Sequence, residues 1–174
     1  MKYFLEDDII GLRKIEITDD LSRYHQWFNS QEANKLNTHG IFPMTIREIQ
    51  DFISVNSRTN LHLSIFIKET NEHIGNLSLQ SIDYINRSGE LAILVGESSC
   101  WGKGYSYKAC KLLVDHAFNR LNLVRVYCGT SEQNFGMQKL ALKLGMLEEG
   151  RRKGAIFSQG EYLDILEYGI FRNK

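Results

Sequence analysis

Three consecutive patterns constrain this chain more than anything else in it. An apolar run from Glu90 to Gly96 leads into the turn Cys100-Trp101-Gly102-Lys103-Gly104-Tyr105-Ser106, and an amphipathic helical pattern follows from Tyr107 to Asn119. A glycine-rich turn between a strand and a helix can present bare backbone N–H groups to a phosphate, and the helix dipole favours negative charge there. Gly102 and Gly104 let the backbone come close, with no Cβ in the way. The dinucleotide pattern G-x-G-x-x-G is not met, because position 107 is Tyr, and the Walker pattern is absent as well. The segment reads as a candidate pyrophosphate cradle, with a glycine loop that binds nothing as the plain alternative.

A second block follows a further apolar run, Leu123 to Gly129. In Asn134-Phe135-Gly136-Met137-Gln138-Lys139-Leu140-Ala141-Leu142-Lys143-Leu144-Gly145-Met146, Asn134 is a good N-cap, Leu140, Ala141 and Leu144 fall at helical spacing, and Gly145 is a stop. Taken in order, the two blocks resemble the GCN5-related N-acetyltransferase (GNAT) superfamily. Trp101-Gly102-Lys103-Gly104-Tyr105-Ser106 is similar to its cofactor loop, and Asn134 with Lys143-Leu144-Gly145-Met146 to its second block. The resemblance covers Ser88 to Met146 and, more loosely, Leu12 to the C-terminus. It points to the branch that includes ribosomal-protein N-terminal acetyltransferases and amino-sugar acetyltransferases. It implies an α/β fold, with one mixed central β-sheet flanked by helices on both faces, and acetyl-CoA as co-substrate.

With 174 residues, 43% of them hydrophobic, the chain can build one sizeable core but not two. A single domain over 1–174, with its core at about 12–171, is the expectation. Lys plus Arg and Asp plus Glu both number 21, so no global charge holds a nucleic acid. No apolar run approaches a membrane span, and acidic residues stand too close to Met1 for a signal peptide. Cys100, Cys110 and Cys128 lack metal-ligand spacing and read as free thiols in a reducing cytoplasm. No metal site is expected.

The periodicities predict a strand over Leu12 to Ile17 and a helix after Thr18-Asp19-Asp20, with Leu21, Tyr24, Trp27 and Phe28 on one face. A capping box, Thr45-Ile46-Arg47-Glu48, opens a second helix with the stripe Ile46, Ile49, Phe52 and Ile53. Leu61 to Ile67 and Ile74 to Ile82 read as a hairpin, and Leu147 to Phe157 and Tyr162 to Phe171 as another. Exposed strand edges in such a sheet suit a homodimer.

The resemblance places acetyl-CoA between the strands ending near Gly96 and beginning near Leu123. Its thioester carbonyl would meet a backbone N–H among Leu94, Val95 and Gly96, and its pyrophosphate the amides of Gly102 to Ser106. Asn134 would hold the pantetheine arm as well as capping its helix. Trp101 replaces the polar residue of many relatives with an indole that can stack or donate. Lys103 can approach a phosphate or stay solvated. The tyrosine that many members use as acid is absent, since Ala141 and Leu142 stand in its neighbourhood. Glu90 is the first candidate base, against a salt-bridged surface glutamate. His39, in Asn37-Thr38-His39-Gly40, is the second, and Tyr162 the third.

Trp27-Phe28-Asn29-Ser30-Gln31-Glu32-Ala33 also resembles this branch and does not choose the acceptor. Asn34 to Met44 mixes polar and aromatic groups, and Arg151-Arg152-Lys153 can meet a diphosphate or balance Glu148 and Glu149. These features lead to direct attack of a nucleotide-linked amino sugar on the thioester as the expectation. A protein N-terminus is the competing acceptor, and a non-catalytic acyl-CoA-binding module the competing class.

Overall fold

The computed structural model describes residues 2–32, 34–35, 41–54 and 57–172. Its strands are β1 (Leu5–Glu6), β2 (Ile10–Arg13), β3 (Leu61–Ile67), β4 (Glu72–Asp83), β5 (Ser88–Val95), β6 (Arg125–Ser131), β7 (Leu147–Ser158) and β8 (Glu161–Phe171). The α-helices are α1 (Ser22–Phe28), α2 (Ile46–Ser54), α3 (Tyr105–Asn119) and α4 (Phe135–Lys143). All eight strands join one mixed sheet in the order β1-β2-β3-β4-β5-β6-β8-β7. Every pair is antiparallel except β5 and β6. A parallel pair needs a long crossover, and α3 supplies it.

Alternation along β5 divides the core in two. Leu91, Ile93 and Val95 pack with Ala109, Cys110, Leu113 and Ala117 of α3 and with Ala141 and Leu144 at the α4 end. Leu94 packs on the other side with Tyr24 and Trp27 of α1 and Ile49 and Ile53 of α2. Successive strand residues point to opposite faces, so the helices lie on both sides of the sheet. The α/β fold implied by the resemblance is the one found.

Several elements differ in detail. The first predicted strand ends at Arg13 because the Asp19 carboxylate takes two bonds from the Arg13 guanidinium, at 2.7 Å each, and one from the Glu16 N–H at 2.7 Å. That clamp turns the chain before Ile17, and α1 starts only at Ser22. The short β1 adds a strand that alternation alone did not reveal. The capping box forms, with Thr45 N–H donating to Glu48 Oε2 at 2.7 Å and Glu48 N–H to Thr45 Oγ1 at 3.2 Å. Of its stripe, Ile49 and Ile53 are buried while Ile46 and Phe52 stay exposed, Phe52 resting edge-on against His62. The sheet edges are a two-residue strand, β1, and β7, whose register shifts twice, at Glu148/Gly150 and Arg152/Ile156.

Candidate active site

β5 and β6 pair only at Ser88 with Arg125, Gly89 with Val126 and Glu90 with Tyr127. Each strand then continues along its outer neighbour, β5 along β4 as far as Val95 and β6 along β8 as far as Ser131. A wedge-shaped gap therefore opens, with Glu90 and Tyr127 at its apex. Gly96 N–H donates to the Ile74 carbonyl at 3.1 Å. Amides along an antiparallel strand alternate in direction, so those of Ala92 and Leu94 address β4 while those of Ile93 and Val95 turn toward β6, where the gap lies. The Val95 carbonyl on that side accepts the Trp101 indole N–H at 2.9 Å. Trp101 thus ties the glycine loop to the end of β5.

The loop itself is open. Gly102 and Gly104 have φ of +74° and +85°, and a Cβ on either would meet nothing within 4 Å. Gly104 is the N-cap of α3, whose first bond runs from Lys108 N–H to the Gly104 carbonyl at 3.1 Å. Tyr105, Ser106 and Tyr107 then have no helical acceptor for their N–H groups. Left-handed glycines, free amides and a helix of 15 residues pointing its positive end outward fit a pyrophosphate. Lys103 is exposed at the same turn and makes no ion pair among the described residues.

The remaining candidates separate by place. A Cβ on Gly96 would lie 2.1 Å from the Trp27 ring, and Trp27 Nε1 donates to Glu97 at 3.3 Å, so Gly96 is where α1 lands on β5. Asn134 Oδ1 accepts Met137 N–H at 3.1 Å and caps α4. Ala141 is fully buried and Leu142 exposed, and neither carries a transferable proton. Tyr162 is exposed at the β7–β8 hairpin, 5.1 Å from the Phe157 ring. Ser158 Oγ of that hairpin donates to the Lys35 carbonyl at 2.9 Å, which joins the hairpin to the chain between α1 and α2. His39 and Asn37 lie outside the described residues.

Glu90 is half-buried on the sheet face that carries Leu94 and has neither an ion pair nor a side-chain hydrogen bond among the described residues. The reading of it as salt-bridged does not hold. Beside it, burial and then the Glu90 and Glu167 charges raise the Tyr127 pKa, so the phenol keeps its proton. The Arg125 guanidinium covers the Tyr127 ring at 4.5 Å. Cys128 is no nucleophile: burial pushes its thiol up to about 12, and its Sγ rests 3.7 Å from Met146 Sδ.

The Arg151-Arg152-Lys153 expectation needs correction. Arg151 bonds Glu132 and Asp164 at 3.0 Å each, and Arg152 bonds Glu167 at 2.5 Å. The two arginines pair with Glu132, Asp164 and Glu167, and among the described residues neither forms an ion pair with Glu148 or Glu149. Ile93, Tyr127 and Glu167 also stand at or beside the gap, none of them among the residues singled out by sequence. Alternation could have raised Ile93, whereas Glu167 joins the group only through its pairing with Gly129. An open cleft of about 480 Å3, lined by Arg13, Asp19, Arg23, Glu72 and His73, lies away from the gap. Its charges pair with one another, Arg13 with Asp19 and Arg23 with Glu72, both at 2.7 Å.

Comparison with known proteins agrees with the fold. The Acetyltransferase (GNAT) domain family matches residues 10–147. The uncharacterized N-acetyltransferase p20 of Bacillus licheniformis is 27% identical over 171 residues, covering 95% of this chain and 94% of its own length. The fold is similar to the crystal structure of Vibrio cholerae spermidine N-acetyltransferase in complex with CoA and spermine, with a TM-score of 0.84, 23% identity, and 95% and 96% of the two chains covered. It is similar also to RimL, a ribosomal L7/L12 α-N-protein acetyltransferase in complex with coenzyme A, with a TM-score of 0.84, 20% identity and 95% of each chain covered.

Proposed function

Because the chain belongs to the GNAT acetyltransferase family, we propose that it moves an acetyl group from acetyl-CoA to a positively charged primary amine at the β5–β6 gap. Acetyl-CoA brings the activated acyl group. Gly102, Gly104, Tyr105 and Ser106 hold its pyrophosphate on backbone amides, Lys103 adds charge, and Trp101 keeps the loop against β5. The gap-facing amides of Ile93 and Val95 receive the carbonyl oxygen as negative charge develops on it. Leu94 and Gly96 frame that position, and Asn134 steadies the pantetheine arm from the start of α4. Glu90, on the acceptor side of the apex, takes the ammonium proton through a water. With Ala141 in place of a proton donor, alignment of the two substrates carries much of the acceleration, of the order of 7–11 kcal/mol in favourable cases.

The single observation behind a cationic acceptor is the pair of carboxylates flanking the gap, unpaired Glu90 on β5 and Glu167 alongside β6. A nucleotide-linked sugar would bring its diphosphate against them, and of the two nearby arginines Arg151 is held between Glu132 and Asp164 while Arg152 faces Glu167. The amino-sugar reading thereby loses its support. A polyamine or other alkylamine suits the site, and a protein N-terminus, one charge on a longer chain, is the competitor.

The experiment is a comparison of kcat/KM at fixed acetyl-CoA for linear polyamines, short peptides and nucleotide-linked amino sugars. A polyamine preferred by tenfold or more is the expected result, and a preferred peptide or sugar overturns the acceptor assignment. Absence of thiol release with every amine would favour the non-catalytic module instead. Glu90→Gln should lower turnover about a hundredfold at neutral pH, with a smaller loss at alkaline pH where the free amine is abundant.

A further inference from the structure

We propose that Glu167 selects acceptors bearing a second cationic group, and that Arg152 is an internal cation holding its place until such an acceptor binds; this rests on the cationic-amine reading above. Glu167 stands in register with Gly129 on β6, two residues past the apex residue Tyr127 and on the same face. Gly129 has no side chain to fill the space: a Cβ there would lie 3.3 Å from a Glu167 carboxylate oxygen. Two strand spacings across and two residues along separate the Cα atoms of Glu90 and Glu167 by about 11–12 Å. The Glu167 carboxylate leans over Gly129 toward β6, which brings the two carboxylates closer together than their Cα atoms, and an α,ω-diamine in extended form can set one ammonium group on each. Glu90 faces the reacting amine, and Glu167 the other end.

The two arginines on β7 differ in how firmly they are held. Arg151 sits between two carboxylates, whereas Arg152 has Glu167 alone. The Arg152 side chain is 61% exposed and its partner 28%, so an exposed cation covers a largely sheltered anion. The guanidinium is the exposed member of the pair, open to exchange with water, and an incoming ammonium can displace it while Glu167 stays compensated. Without that cation, an empty place on Glu167 would leave a partly buried carboxylate unpaired.

The test measures, at saturating acetyl-CoA, the ratio of kcat/KM for a linear diamine to that for the monoamine of equal length. In Glu167→Gln the ratio should fall about tenfold, the scale of a hydrogen bond to a charged group. In Arg152→Ala, with the internal competitor gone, it should rise severalfold, and Arg152→Lys should return it toward the starting value. A ratio unchanged in both Glu167→Gln and Arg152→Ala overturns the inference. Should Glu167→Gln fail to fold, Arg152→Ala decides alone. Failure of the cationic-amine reading shows separately, as preference of the unmodified protein for a peptide or a sugar over any diamine.

Discussion

A single methyl group at Gly96 is expected to be felt far beyond its size, because its Cβ would enter the Trp27 ring at 2.1 Å. Gly96→Ala should destabilise by about 1–3 kcal/mol, as overpacking does, seen as a lower urea midpoint at unchanged slope. A smaller residue at position 27 should relieve part of that loss, so the double variant falls short of additivity. Gly102 and Gly104 were legible in the sequence because a turn between a strand and a helix calls for positive φ locally. The reason for Gly96 was not, since its partner comes from α1, far away along the chain. The amides proposed to receive the thioester oxygen show the same limit: alternation locates the strand, but the bond from Gly96 to Ile74 decides that the Ile93 N–H and not the Leu94 N–H faces the gap. Glu90 was readable as a candidate, while Glu167 needed the β6–β8 register.

At the scale of elements, the start of α3 carries the cofactor proposal. Gly104→Asp and Gly104→Asn impose the same left-handed strain, which short polar residues tolerate best, but only Asp adds charge at the cradle. Calorimetry should find acetyl-CoA affinity at least about tenfold weaker in Asp than in Asn, since like charges repel over this range. Equal affinities would remove the cradle. For α4, Asn134→Ala should cost about 1 kcal/mol of stability through the lost cap; a loss of acetyl-CoA affinity in the folded variant marks the additional pantetheine role. Alternation placed β3 to within a residue and found both hairpins, because local period and turn chemistry agree there. It overran β2, where Asp19 reaches back to Arg13 and Glu16. It also could not show that β7 exposes most of its side chains, a consequence of lying at the edge.

For the whole molecule, acid should act in two stages. Burial lowers the pKa of His73 and of His62 below their ordinary 6.5, so these imidazoles stay neutral in the fold while the unfolded chain takes up protons. Stability is then complete above about pH 7 and declines as pH falls through 6.5 toward the depressed folded values. The bond from Arg13 holds Asp19 below its ordinary 3.8, a contribution present above that value and lost as pH falls through the folded one. Urea midpoints between pH 8 and 3 should be level at first, drop from near 6.5 and drop again below about 4; a midpoint constant from pH 7 to 5 contradicts the histidine stage. The tie between Trp101 and Val95 has an optical consequence. Of the two tryptophans in the chain, Trp27 is 4% exposed within the core and Trp101 is 52% exposed beside the cradle. Intrinsic emission should therefore divide into a short-wavelength component that is indifferent to the acyl donor and a long-wavelength one that responds as the loop fills. Trp101→Phe should silence the second, and in the unmodified chain a quench or blue shift reports occupancy without any label.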